Sequence, residues 1–252
     1  MSNYLKLNVE ELTSSTLTLN IFALDISGSM EGQKERMLRE SLEVIKTNML
    51  KLEDTSSTKI AVITFGDDVK VGDFQAIENF NTNYRSRNER TALYDAICEA
   101  ENQVKYLYEN YRSKCRLNIN VIFLSDGKDY RSYKSRASAL DSVRRMKQQY
   151  KVATIFYAIE ESCSMDEVTT FAKEMGFDVK RVENSERAMQ EFSRQVSTML
   201  TTSSRTGQIA KLNSGLDASL SQVAAKEFGE SLEQAETKIV DPFADIFNEE
   251  DE

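Results

Sequence analysis

The sequence predicts a doubly wound α/β fold: a mainly parallel sheet with helices on both faces, a Rossmann-like arrangement, and one antiparallel edge strand. Three observations lead there. Short β-branched and apolar runs alternate with helix-length amphipathic segments between residues 16 and 202, a rhythm that calls for crossover connections and a parallel sheet covered on both faces. Two of the apolar runs end in polar residues that include an aspartate, one directly at Asp25 and the other at Ser125-Asp126-Gly127, and in such sheets ligands collect at the carboxyl ends of strands. Gly66-Asp67-Asp68 separates two adjacent strand-like runs and provides the turn for an antiparallel pair.

The elements follow in order. Thr16 to Leu24, TLTLNIFAL, is the first strand, and Gly28 and Gly32 mark the loop after it. Met37, Leu38, Leu42, Ile45, Met49 and Leu52 recur at spacings of three and four, which places a helix over Lys34 to Leu52. Lys59 to Phe65 and Val69 to Phe74 are the antiparallel pair. A polar stretch, Asn81 to Arg90, precedes a helix from Ala92 to Tyr111 with Leu93, Ile97, Ala100, Val104 and Leu107 on its apolar face. Leu117 to Leu124 is the next strong strand, ending in Ser125-Asp126-Gly127. Then come a helix over Ser135 to Gln149, a strand over Val152 to Ile159, and a helix over Met165 to Met175. Ser164 with Glu167 three residues later forms a capping-box pattern at its start, and Gly176 suits its end. A strand at Asp178 to Val182 and a helix at Glu186 to Met199 complete the alternation.

The domain organisation read from composition is an N-terminal extension over 1–15, a folded domain over 16–202, and a flexible, partly helical acidic tail over 203–252. Within the tail Phe243, Ile246 and Phe247 could form a short docking turn that orders on binding. No secretory signal and no spanning-length apolar run is visible, so the expected location is the cytoplasm, away from membranes. Cys98, Cys115 and Cys163, odd in number and widely spaced, suit reduced thiols. The net charge of −9 disfavours nucleic acid and anionic lipid. The sequence has no histidine, the commonest general base and zinc ligand, which weighs against hydrolase triads and His-based metal chemistry.

Asp25-Ile26-Ser27-Gly28-Ser29 offers a carboxylate and two hydroxyls at alternate positions after a buried strand, and Asp126 supplies a second carboxylate from the end of another. These are hard oxygens. With so few carboxylates they favour an octahedral magnesium that keeps some waters over a calcium cage. Two converging acids repel without a cation, and a bound ion removes that conflict. Serine and aspartate after strands also serve as ordinary caps of helices and turns.

Taken together, DISGSM (Asp25 to Met30), RTALYDAI (Arg90 to Ile97) and LSDG (Leu124 to Gly127), each on its own element, resemble the metal-ion-dependent adhesion site of von Willebrand factor A domains. The resemblance spans about residues 17–200. It implies that Ser27 and Ser29 bind an ion directly, that Thr91 binds directly or through water, and that Asp25 and Asp126 act through coordinated waters. Magnesium is the expected ion, with manganese or calcium as alternatives. One departure stands out: many relatives have glycine just before the threonine, whereas here the run is Asn88-Glu89-Arg90-Thr91.

The function this implies is an intracellular, non-enzymatic interaction module, in which the ion bridges to an Asp or Glu of a protein partner. Tyr84, Arg85, Arg87 and Arg90 on one side, and Lys128 to Arg136 on the other, form an expected basic and aromatic rim attracting acidic partners. Small cytosolic bacterial proteins similar to this one include the tellurite-resistance-associated group, linked by family association to kinases, phosphatases or AAA+ ATPases. The alternatives are a magnesium-dependent phosphate hydrolase, although the sequence has no phosphate-binding Gly-rich loop, or a metal-free structural subunit of an assembly.

Overall fold

The computed structural model describes residues 4, 5, 7, 16–51, 55–127, 129–159, 165–182 and 186–206. Leu52, Lys128, Cys163, Ser164 and the chain from 207 onward, with its expected docking turn, lie outside the described residues, as does most of the N-terminal extension.

Six strands form one sheet: β1 (Thr16–Asp25), β2 (Thr58–Phe65), β3 (Val69–Val71), β4 (Arg116–Ser125), β5 (Ala153–Ile159) and β6 (Asp178–Val182). Their order across the sheet is β3-β2-β1-β4-β5-β6. All pairs are parallel except β2 with the edge strand β3. The sequence reading of a mainly parallel sheet with one antiparallel edge therefore holds. β1 is buried along all but its first residue, as expected of a central parallel strand covered on both faces.

The helices are α1 (Gln33–Met49), α2 (Leu93–Tyr111), α3 (Arg136–Gln148), α4 (Met165–Glu174) and α5 (Glu186–Thr206). Period-two alternation along the strands sorts them into two layers. Leu17, Leu19, Ile21 and Ala23 of β1 join Ile119, Val121 and Phe123 of β4 in one core with α2, α3 and Ala172 of α4. On the opposite face α1 packs against α5, and the Tyr157 ring of β5 meets Phe192 of α5 edge-on.

α5 extends to Thr206, past the Met199 end that apolar periodicity marks. Hydroxyl residues continue its inner face: Ser197, Thr201 and Ser203 are buried. The hydroxyls of Ser197 and Thr201 donate to carbonyls four residues earlier, at 2.7 and 2.6 Å, so these polar groups are satisfied within the helix itself. A hydropathy pattern does not register such a face.

From β1 the chain runs through α1 to β2 on one side, and later returns through α2 to β4 on the other. The carboxyl ends of β1 and β4 thus flank the point where the connections diverge, the crevice where open α/β sheets place their ligands. Asp25 and Asp126 sit at that point.

Candidate functional site

The site is built from three loops. Asp25 ends β1, and a single 3-10 turn, Gly28–Met30, follows it. Leu24 of β1 stands in register with Leu124 of β4, which sets Asp25 beside Ser125. Ser125 Oγ donates to Asp25 Oδ2 at 2.5 Å, and Ser27 N–H donates to Asp25 Oδ1 at 2.9 Å. Both oxygens of this buried carboxylate are engaged. Burial is the main cause that raises its pKa from 3.8 to about 6; the bonds from Ser125 and Ser27 pull the other way, and the charge of Asp126 adds to the rise.

Ser27 Oγ lies 3.1 Å from Ser29 Oγ, and Ser29 Oγ donates to Asp126 Oδ1 at 2.7 Å. Thr91 flanks this row: a Cβ placed on Gly127 would lie 3.6 Å from Thr91 Oγ1 and 4.0 Å from Ser29 Oγ. The structure therefore brings Ser27, Ser29 and Asp126 into one hydrogen-bonded line, with Asp25 bracing it from the β1 side and Thr91 beside it.

Each loop is held from outside. Gly28 N–H donates to the Glu89 carbonyl at 2.9 Å and Arg87 N–H to the Ile26 carbonyl at 2.8 Å, which ties the first motif to the segment before Thr91. That segment is fastened to α1, where Glu35 accepts from Ser86 N–H at 2.8 Å and Ser86 Oγ at 2.5 Å. The missing glycine before Thr91 is accommodated differently. Asp67 Oδ1 accepts from Arg90 N–H at 3.1 Å, and Glu89 Oε2 accepts from Asp67 N–H at 3.2 Å. Gly66 makes room for this, since a Cβ there would lie 2.1 Å from Glu89 Oε2.

The loop after Asp126 is stapled to the start of α2. Tyr130 and Arg131 N–H groups donate to the Thr91 carbonyl at 2.8 and 3.1 Å. Asp129 and Ser132 accept from the N–H groups of Tyr94 and Asp95 at 3.1 and 3.0 Å, capping the helix. Asp95 in return accepts from Tyr133 and Lys134 N–H at 2.9 and 2.8 Å. Thr91 and Asp126, from separate elements, are fixed relative to each other by this zip.

The sequence reading missed Lys34. Its ammonium donates to Asp126 Oδ2 and, at 3.1 Å, to the Ser29 carbonyl; the side chains of Lys34 and Asp126 are only 5% and 1% exposed. A lysine in a first helical turn reads as a solvated surface charge, and no spacing rule ties it to an aspartate 92 residues later. Ser125 stood inside the LSDG motif without an assigned role.

Four arginines of the expected basic rim pair with the chain's own acids. Arg85 pairs with Glu35 at 3.3 Å, Arg87 with Glu89 at 3.7 Å and Arg131 with Asp67 at 4.0 Å, and Arg136 pairs with Glu174. Tyr130 and Tyr133 are strongly exposed, and the Arg131 guanidinium lies over the Tyr133 ring, 5.0 Å from its centre.

The donor chemistry fits a hard divalent ion: the side chains of Ser27, Ser29 and Asp126 present three oxygens in a row, and the Thr91 and Ser29 hydroxyls both face the Gly127 Cα. Among the described residues no three acidic, histidine or cysteine side chains group to hold a metal.

Comparison with known proteins agrees with this topology. The fold is similar to the von Willebrand factor type A protein from Catenulispora acidiphila, at 17% identity and TM-score 0.56, over 74% of this chain and 43% of that one. It is similar to the PilB minor pilin from Streptococcus sanguinis, at 14% identity and TM-score 0.53, over 75% and 62% of the two chains. It also resembles the vWF domain of a type V pili tip protein from Porphyromonas gingivalis, at 8% identity and TM-score 0.54, over 81% and 99%. The chain spans less than two thirds of the length of the first two, and at these identities the likeness is one of fold. No curated protein matches. Residues 21–195, well over half of the 252, match the von Willebrand factor type A domain, and the chain belongs to that family.

Proposed function

We propose that this chain is a non-enzymatic, metal-dependent protein-interaction module. In this reading a divalent ion, magnesium or alternatively manganese or calcium, is held by Ser27, Ser29, Thr91 and Asp126, with Asp25 acting through coordinated water, and accepts an Asp or Glu of a partner. The observation that carries the reading is the line Ser27 Oγ, Ser29 Oγ, Asp126 Oδ1, with steps of 3.1 and 2.7 Å, at the carboxyl ends of β1 and β4. When bound, the ion supplies a positive centre whose remaining positions a partner carboxylate can take. The chain's own residues do the rest: Asp25 orients the Ser27 backbone, and the Thr91 staple fixes the third hydroxyl.

Von Willebrand factor A domains are generally interaction modules, which supports the binding reading. So does the engagement of both carboxylates: Asp25 is bonded through both oxygens and Asp126 is paired with Lys34, so neither presents the free base a phosphate hydrolase would need. Buried free thiols at Cys98 and Cys115 support a reducing, cytoplasmic setting. Partners of the kind linked to the tellurite-resistance group, kinases, phosphatases or AAA+ ATPases, are a narrower form of the same proposal.

The test is calorimetric titration of chelator-stripped protein with magnesium and manganese, beside Ser27→Ala/Ser29→Ala. Saturable binding that the double variant loses supports the site. No binding by a folded wild type removes the autonomous ion site and leaves a metal-free scaffold.

A further inference from the structure

Lys34 is the second residue of α1. Gly32, at φ +84°, sets the turn into the helix, a left-handed conformation that a side chain would resist. The helix then starts beside the end of β4, and the lysine ammonium lies on the Asp126 carboxylate and the Ser29 carbonyl. A buried ammonium needs such partners, because an uncompensated charge at 5% exposure is strongly disfavoured.

The consequence lies in how Asp126 is shared. Its Oδ1 accepts from Ser29 Oγ, one of the proposed ion donors, and its Oδ2 is held by Lys34. A divalent ion gathered by Ser27, Ser29 and Asp126 would stand within a few ångströms of an existing positive charge, and would draw on a carboxylate whose charge that ammonium already offsets. Like charges at such separations repel strongly where water is scarce. Lysine suits yielding: its charge is compact and its four-carbon stem can carry the ammonium out of the site, which a rigid guanidinium fork would do less readily.

We propose that Lys34 is a tethered cation of this site that competes with the divalent ion for Asp126, so that the ion binds only by displacing it. This inference rests on the metal-binding reading above. Lys34 would thus keep the site closed and charge-balanced until divalent ion is abundant or a partner carboxylate adds to its binding.

The test is magnesium and manganese titration of the full chain against Lys34→Met and Lys34→Gln, two variants so that one folded protein suffices. The expected result is at least tenfold tighter binding in the variants. Equal or weaker binding in the variants, with the wild type binding, overturns the inference and leaves the metal reading standing. Absence of binding in wild type and variants alike removes the metal reading, and this inference with it. A second measurement needs no variant: pulse acetylation followed by mass spectrometry, in chelator and in saturating magnesium. Lys34 should be protected in chelator and react at least threefold faster with magnesium, while exposed Lys105 is unchanged. Unaltered protection of Lys34 in protein shown by calorimetry to be magnesium-saturated overturns the displacement.

Discussion

Ser125 and Asp25 are joined across the β1–β4 boundary, 100 residues apart in the chain, by a 2.5 Å bond from Ser125 Oγ to Asp25 Oδ2. This bond steadies the carboxylate that in turn holds the Ser27 backbone. Ser125→Ala should cost about 1–3 kcal/mol at pH 7, since it leaves a buried charged acceptor short of a donor. The cost should be smaller at pH 5, where Asp25 is mostly protonated. Urea unfolding at the two pH values measures both.

Asp25 also makes a signed pH prediction. Its pKa rises from 3.8 to about 6 on burial, so between those values the folded chain holds more protons than the unfolded one. Stability from this group is fully present below 3.8 and is lost as pH rises through 6, about 3 kcal/mol in all. Asp25→Asn should therefore gain on the chelated wild type as pH rises from 4 to 7. On the proposed function, saturating magnesium should shrink that gain, because the ion favours the charged carboxylate. Thermal melts of both proteins across this range test it.

Glu35 should act on the site at a distance. It accepts from Ser86 N–H and Ser86 Oγ and pairs with Arg85, and Ser86 first among these causes holds its pKa below 4.5. Glu35→Ala should cost about 1–2 kcal/mol, and should speed amide exchange over residues 81–90. Divalent affinity should fall severalfold through the misplaced Thr91. Exchange left unchanged over 81–90 would show that Glu35 does not anchor the loop.

Away from the site, Arg145 of α3 grips Glu101 of α2 through two bonds of 3.2 and 3.1 Å. Glu101 is 7% exposed, whereas Arg145 is 45% exposed, so the cost of Arg145→Ala comes from stranding a buried acid and is moderated by solvent around the arginine. A loss of about 2 kcal/mol is expected, with ion titration unaltered. Chemical denaturation and calorimetry on one preparation check both halves.

The helices and strands were legible because their signals are local. Periods of two and of three to four follow from backbone geometry, and the strands and helices were placed within a residue or two at each end, apart from the carboxyl ends of α1, β3 and α5. β3 stops at Val71, where sequence reading ran on to Phe74. Beyond Leu200 the inner face of α5 is continued by Thr201 and Ser203, and the Thr201 hydroxyl is satisfied by the helix's own Ser197 carbonyl, which hydropathy does not register.

Within the site, the sequence alone determined that Asp25, Ser27, Ser29, Thr91 and Asp126 sit at element ends, because each follows a strand or precedes a helix. Only the tertiary structure decided which side chains meet: that Ser125 braces Asp25, that Glu89 and Asp67 stand in for a glycine-bearing loop, that the rim arginines are mostly paired within the chain, and that Lys34 reaches Asp126. Each of these contacts joins residues 22 to 100 positions apart, except the pair of Arg87 with Glu89. Strand register and helix placement set them, and a charge pattern read along the chain carries neither distance nor burial.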